Sequence, residues 1–358
     1  MADLSALSAA HYVERAIADG GSGNSSIVLE LEARFAVFKE AQFALCVASG
    51  TSALIAACKA VGVRPGELVG VSAIGPAMSG QAILAVGARP LFLDSPSPSS
   101  FGISISAAAD AVERGVKAVI VVPMWGYWDE QPGALAVLRR GGVPLIADTA
   151  QAPFLRLGSG LLKTADIACL SLHARKPLRA GEGGVCLTNN RQYAERMVSA
   201  RNFGQKAQLK EGHLVPSGPF GEHGGANLKM NALGAAWCLS QLENVEAIRA
   251  RLGQLRARGL EAFHAAGSDW HEVAQAAEVV EHGRYGITAI CPDSASAANL
   301  VSGLTGAGIE VDTQRFAYRP MYEARCFGPV DRPCPVAEEL TQVAVACRLE
   351  AFARLPVP

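Results

Sequence analysis

The chain has 358 residues, half of them apolar and 18% charged, with a formal net charge of −1. That composition excludes a disordered chain, and the absence of a basic stripe speaks against a nucleic-acid partner. No apolar run approaches the ~18 residues of a membrane span, and residues 1–14 lack the basic start and apolar core of a secretion signal, so a cytoplasmic protein with no membrane partner is expected.

Short apolar runs alternate with helical patterns through the first half of the chain. Strands are predicted at 44–49, 68–73, 90–94, 118–124, 144–148, 168–173 and Gly184–Thr188, and helices between them at 52–61, 106–114 and 130–140. Several runs are rich in Val, Ile and Leu without polar alternation, the pattern of strands covered on both faces. Strand–helix alternation then implies an α/β fold with a mostly parallel sheet between two helical layers. Residues 95–100, a run of Ser and Pro, read as a surface loop. A charged amphipathic stretch at 230–266, broken at most once, is long enough to bridge two domains. Beyond it, 287–291 and 309–311 read as strands of a smaller α+β unit. The expected division is a large domain over 1–245 and a small one over 246–358. The nine scattered cysteines form no C-x-x-C pair and read as reduced thiols, most of them buried; no metal site is expected.

Four features can carry chemistry. Ser49-Gly50-Thr51-Ser52-Ala53-Leu54 follows a buried strand and opens a helix, whose free N–H groups and hydroxyls suit a phosphate. The same residues also suit an ordinary helix cap. Asp148 ends an apolar strand, where it can face a cationic ring nitrogen or simply cap a helix, and Gln151 follows into the same crevice. Lys176 follows Ser171-Leu172-His173-Ala174-Arg175 at another strand end. A desolvated lysine there would favour the neutral amine that attacks an aldehyde, although by spacing alone a surface lysine beside Arg175 is the better fit. Gly181-Glu182-Gly183-Gly184 marks a tight turn or a close backbone approach. Each signal is weak alone. Together they supply a phosphate cradle, an acid and an amine on successive strand ends, the three anchors that pyridoxal 5'-phosphate requires.

These motifs resemble the DegT/DnrJ/StrS aminotransferases, within the fold-type I pyridoxal-phosphate enzymes, from about residue 28 to the C-terminus. Ser171 to Gly184 resembles the family's serine, histidine, lysine and Gly-Glu-Gly-Gly pattern. Asp148-Thr149-Ala150-Gln151 resembles its Asp-x-x-Gln, and residues 49–54 its Ser-Gly-Thr-x-Ala-Leu. Arg201-Asn202-Phe203-Gly204 is similar to its Arg-Asn-His-Gly, and Gly225-Ala226-Asn227-Leu228-Lys229-Met230 to its Gly-x-Asn-Tyr-Arg-Met. The resemblance implies a large parallel-sheet domain with a smaller C-terminal α+β domain. It implies that Lys176 forms the Schiff base and later shuttles the proton, that Asp148 pairs with the ring nitrogen, and that Gln151 contacts the phenolic oxygen. Gly50, Thr51, Ser52 and Ser171 would hold the phosphate. Asn227 would reach the phosphate of a neighbouring subunit, which implies a homodimer with shared active sites.

With lysine rather than histidine at position 176, the resemblance implies transamination from glutamate or glutamine to a keto-sugar or keto-cyclitol, in antibiotic or other secondary metabolism. Where the family places a flat side chain over the cofactor ring, this chain has Ile74-Gly75-Pro76, so Pro76 is expected on that face. Other departures cluster on the substrate side, where Trp125, Tyr322 and Arg201 are the candidate contacts. They leave open a relative that uses the cofactor for elimination, aromatisation or carbon–carbon chemistry, and a catalytically silent relative that binds or regulates.

Overall fold

Apolar runs without polar alternation need cover on both faces, and the central strands receive it. The computed structural model describes residues 4–330 and 332–355. In chain order its first strands are β1 (Phe43–Val47), β2 (Leu68–Ser72), β3 (Arg89–Leu93), β4 (Val119–Val121), β5 (Leu145–Asp148), the short outlying β6 (Arg156–Leu157), β7 (Ile167–Ser171) and β8 (Gly184–Thr188). All but β6 form one seven-stranded sheet in the order β1-β8-β7-β5-β4-β2-β3. The run from β7 to β3 is parallel. Only β8 runs against both its neighbours, β1 and β7. Two reversals restore the direction, so β1 points the same way as β7. The C-terminal ends of six strands therefore share one edge.

Side chains alternate between the two faces, as a strand demands. Val119, Val121, Ala147 and Leu170 join one apolar cluster, together with Ile27, Leu31 and Phe35. Ile120, Ile146, Ile167 and Cys169 join the other, beneath Ala53 and Leu54. The second cluster is covered by α3 (Gly50–Ala60) and α4 (Ala77–Ala85). The first is covered by α2 (Ser26–Phe38), which packs with α1 (Leu4–Ala18) against the helix Ala232–Glu243. The strand predicted at 118–124 is shorter than expected. Pro123 has no N–H for the ladder, and Trp125 turns left-handed at φ 57°.

The stretch at 230–266 is two helices, Ala232–Glu243 and Val245–Ala266, broken once at Asn244. Two more strands, β9 (Lys206–Lys210) and β10 (His213–Ser217), form a hairpin. After it come β11 (His271–Glu272), β12 (Val279–Glu281), which pairs with β6, β13 (Gly286–Ile290) and β14 (Ala344–Arg348). A second, antiparallel sheet has the order β11-β13-β14. The strand expected at 309–311 is not one. Ile309 and Val311 are buried in a connection that follows the helix Ser294–Gly306. The place beside β13 belongs to β14, whose Ala-rich sequence continues directly from the helix Pro335–Val343. Eight of the nine cysteines are buried and all are free thiols. Among the described residues no helix is long and apolar enough to cross a membrane.

Arg201 is not a substrate contact. It is 1% exposed and its Nη1 donates to Glu32 and, at 2.8 Å, to the carbonyl of Cys46. The Cys46 N–H donates to the same Glu32 oxygen at 2.8 Å. This buried pair ties α2 and β1 to the helix Arg191–Arg201. Removing one partner leaves a buried charge unpaired, which costs about 3–5 kcal/mol. Arg201→Met alone should lower stability by that amount in denaturant unfolding, and Glu32→Gln added to it should recover part of the loss.

Candidate active site

The shared strand edge opens into a cavity of about 550 Å³. At one end lies the start of α3. Ser49 is extended (φ −164°, ψ 167°) and its Oγ accepts the Ser52 N–H at 3.0 Å. Ser52 Oγ lies 2.9 Å from Ser49 Oγ. Ser52 is thus spent on the cap and does not line the cavity, whereas Ser49, Gly50, Thr51 and Ser171 do. The first N–H groups of a helix have no internal acceptor, so this end favours an anion. Two glycines bring the parts together. A Cβ on Gly50 would stand 2.8 Å from Ser171 Cβ, and one on Gly184 would stand 2.4 Å from the Ser49 carbonyl oxygen. Only bare backbone lets β7 and β8 approach the helix start this closely.

Asp148, the last residue of β5, is 3% exposed. Its Oδ2 accepts from Ser79 Oγ at 2.6 Å and its Oδ1 from the Ala150 N–H at 3.2 Å. Burial raises its pKa, and those two hydrogen bonds and the charge of Lys176 oppose the rise. A carboxylate so placed favours a cation brought into the cavity. Ser79 has no signature in the sequence, being one serine inside α4.

Gln151 lines the same cavity, and its Oε1 accepts the Trp125 N–H at 2.7 Å. That bond leaves the amide NH₂ as the side chain's free donor. Holding a tryptophan left-handed costs about 1–3 kcal/mol. The bond to Gln151 and the stacking of the indole on Tyr285, at 6.2 Å and 27°, hold it there. Pro76 caps α4 and lines the wall with Gly75 and Met78.

Lys176 places its Nζ 4.6 Å from the centre of the Tyr285 ring. Burial pushes its amine down to about 8; Asp148 pulls the other way and Arg348 adds to the fall. Its backbone is fixed by a bond from Lys176 N to the His173 carbonyl at 2.8 Å, in a loop closed by a bond from Ala174 N to Gly181 O at 2.8 Å.

Tyr322 is placed elsewhere. Its hydroxyl donates to Glu338 at 2.6 Å and accepts from Cys334 N at 3.0 Å, and its ring packs edge-on against Phe92. The cavity wall is made instead by the preceding Arg319, Pro320 and Met321. Asn227 is exposed, lies outside the cavity and bridges to Asn202. Tyr285, Tyr318, Asp312 and Arg348 line the cavity although no motif marked them. They come from the second sheet and its connections, far along the chain from Lys176.

In cofactor-free protein the reaction of Lys176 with an amine-selective reagent should rise with pH around a midpoint near 8 and level off above it. Competitive labelling across pH, read by mass spectrometry, checks this; a midpoint at the ordinary lysine value would contradict the burial argument.

The DegT/DnrJ/EryC1/StrS aminotransferase family model matches residues 8–350. Protein MosB of Rhizobium meliloti is 33% identical over 233 residues, which is 63% of this chain and 46% of that protein. The L-glutamine:2-deoxy-scyllo-inosose aminotransferase of Streptoalloteichus tenebrarius is 27% identical over 316 residues, 83% of this chain and 71% of that one. The first of these matches spans about half the length of its curated relative. Among solved structures, 3-amino-5-hydroxybenzoic acid synthase superposes with a TM-score of 0.81 at 22% identity, covering 96% of this chain and 91% of that one. An aminotransferase from Psychrobacter cryohalolentis gives 0.80 at 17%, covering 99% and 96%. Those structures share the fold, and the family model spans nearly all of the sequence: the chain belongs to the DegT/DnrJ/EryC1/StrS aminotransferase family.

Proposed function

We propose that this protein is a pyridoxal 5'-phosphate-dependent aminotransferase that moves an amino group from glutamate or glutamine to a keto-sugar or keto-cyclitol in antibiotic or other secondary metabolism. The observation that carries the proposal is a lysine amine lowered to about 8 in the same cavity as a buried carboxylate and an open helix start. Family membership supports the reaction class, and the L-glutamine:2-deoxy-scyllo-inosose aminotransferase among the relatives supports the substrate class and the donor.

The residues fit the cofactor. Gly50, Thr51 and Ser171 would hold its phosphate, with Ser52 fixing the helix start through Ser49. Asp148 would pair with the ring nitrogen, the free NH₂ of Gln151 would donate to the phenolic oxygen, and Pro76 would cover one face. When bound, the cofactor supplies an electron sink for the charge left by breaking a C–H bond. The chain does the rest. Asp148 would keep the ring nitrogen protonated, because an uncompensated carboxylate in that position is costly. Lys176, when its amine is free, would carry a proton between the substrate carbon and the cofactor. Tyr285, against its amine, keeps water from that side.

We also propose a cytoplasmic homodimer. Phe203, Phe220, Leu233 and Trp237 are exposed, and Trp237 lies beside the turn at Gly181. The Phe203–Phe220 pair and Leu233 and Trp237, four residues apart on the helix Ala232–Glu243, are the apolar surface that such an interface would cover. Asn227, exposed in the same region of the chain, would reach the phosphate held by the neighbouring subunit. The division into 1–245 and 246–358, just after the break at Asn244, is proposed with it.

Purified protein given pyridoxal phosphate should turn yellow and lose the band on adding L-glutamine or L-glutamate. Lys176→Ala should never show the band and should keep the wild-type melting temperature. A band indifferent to both donors would move the reading to another pyridoxal-phosphate chemistry. Ser79→Ala removes one charge-assisted hydrogen bond from Asp148, worth about 1.5 kcal/mol, and should lower turnover about tenfold; unchanged turnover would contradict the role given to Asp148.

A further inference from the structure

The covering of Lys176 depends on where Tyr285 stands, and that place is fixed by the short connection between β12 and β13. Residues 282–285 lie against the turn that carries Trp125. The Gly283 N–H donates to the Gly126 carbonyl at 3.0 Å. A Cβ on Gly283 would stand 2.8 Å from Gly126 Cα and 2.7 Å from Ala152 Cα, so backbone meets backbone there. Arg284 then turns left-handed, at φ 56°, which strains any residue that carries a Cβ. A side chain two residues earlier holds this bend: the Arg284 N–H donates to His282 Nδ1 at 2.7 Å. The imidazole packs edge-on against the Tyr127 ring, at 4.6 Å and 87°. Its Nε2 is buried without a hydrogen-bond partner among the described residues. Immediately after the bend, Tyr285 stacks on Trp125 and meets the Lys176 amine.

We propose that His282 is a positioning residue, holding Tyr285 over Lys176 through the Arg284 N–H; the catalytic place of Lys176 rests on the aminotransferase reading above. A neutral imidazole accepts at one nitrogen and donates at the other. Because Nδ1 accepts, the proton sits on Nε2, and a second proton, on Nδ1, would break the bond. The surroundings disfavour that second proton. Burial, and then the charges of Arg256 and Arg284, hold His282 down at about 3, far below the usual histidine value. His282 therefore stays an acceptor across the whole range in which Lys176 titrates. A bond from a side chain to the backbone N–H two residues on is also what an asparagine makes in a turn, so asparagine can replace it and leucine cannot. Without the bond nothing offsets the left-handed bend, the connection relaxes, and the Tyr285 ring leaves the amine to water. With the ring in place the amine lies at about 8, so its lost hydration outweighs the pull of a ring face on a cation.

Competitive labelling of Lys176 across pH, in cofactor-free protein, tests the proposal on His282→Leu, His282→Asn, Tyr285→Ala and the double variant His282→Leu, Tyr285→Ala. Melting curves establish that each variant folds, and His282→Ala replaces a leucine variant that does not. The midpoint should stay near 8 in His282→Asn. In His282→Leu it should rise by about one pH unit or more, toward the ordinary lysine value of ~10.4. Tyr285→Ala should raise it at least as far, and the double variant no further than Tyr285→Ala. Only the neutral amine attacks an aldehyde, so at pH 7 the yellow band should form about tenfold more slowly in His282→Leu for each pH unit that the midpoint rises. An unchanged midpoint in His282→Leu would overturn the proposal. Equal rises with leucine and asparagine would overturn it too, assigning His282 to packing against Tyr127. So would rises that add in the double variant, because His282 would then reach Lys176 by a route other than Tyr285. The labelling needs no cofactor, so its outcome is separate from the spectral test of the aminotransferase reading.

Discussion

An ionisable carboxyl group buried at a strand end is costly until a positive charge meets it, and Asp148 imposes that condition on everything around it. The protein supplies one serine hydroxyl, one backbone N–H and the more distant attraction of Lys176. Those partners hold the carboxylate without satisfying it. The cavity thus favours a cation beside Asp148, and the same desolvation favours the neutral amine of Lys176. One physical circumstance, exclusion of water from a strand edge, pushes an acid up and an amine down within a single cavity.

The sheet makes this juxtaposition possible. Because β8 alone is reversed, the ends of β1, β4, β5 and β7 open together. The helix start, Trp125, Asp148 and Ser171 are delivered side by side, though long stretches of chain separate them. Gly50 and Gly184 set how tightly the two halves of the cradle close. The second sheet closes the opposite wall with Tyr285 and Arg348.

Much of this was legible in the sequence for a simple reason. Buried parallel strands write themselves as continuous apolar runs, and six of the seven central strands lie within two residues of their expected bounds. The helix start, Asp148, Gln151 and Lys176 follow such runs directly, so local order carried them to the cavity. Arg201 and Tyr322 misled because a polar side chain beside a motif looks the same whether it faces a cavity or a buried partner. Only the fold reveals Glu32 next to one and Glu338 next to the other. Arg348 left no trace, because β14 is a run of small residues fused to a helix and no local period announces it, and Tyr285 stands just before the strand expected at 287–291 with nothing local to mark it as facing the cavity.

The wall built by β13 and β14 has a consequence for the order of events during synthesis. Residues 285 and 348 leave the ribosome long after Lys176. Until the C-terminal sheet docks, the lysine is hydrated, charged at neutral pH and no better a nucleophile than any other. Docking desolvates it and sets Arg348 beside it in the same stroke. A chain without that sheet would carry Lys176 as an ordinary solvated amine, so the lowered pKa of the lysine is coupled to docking of the C-terminal sheet.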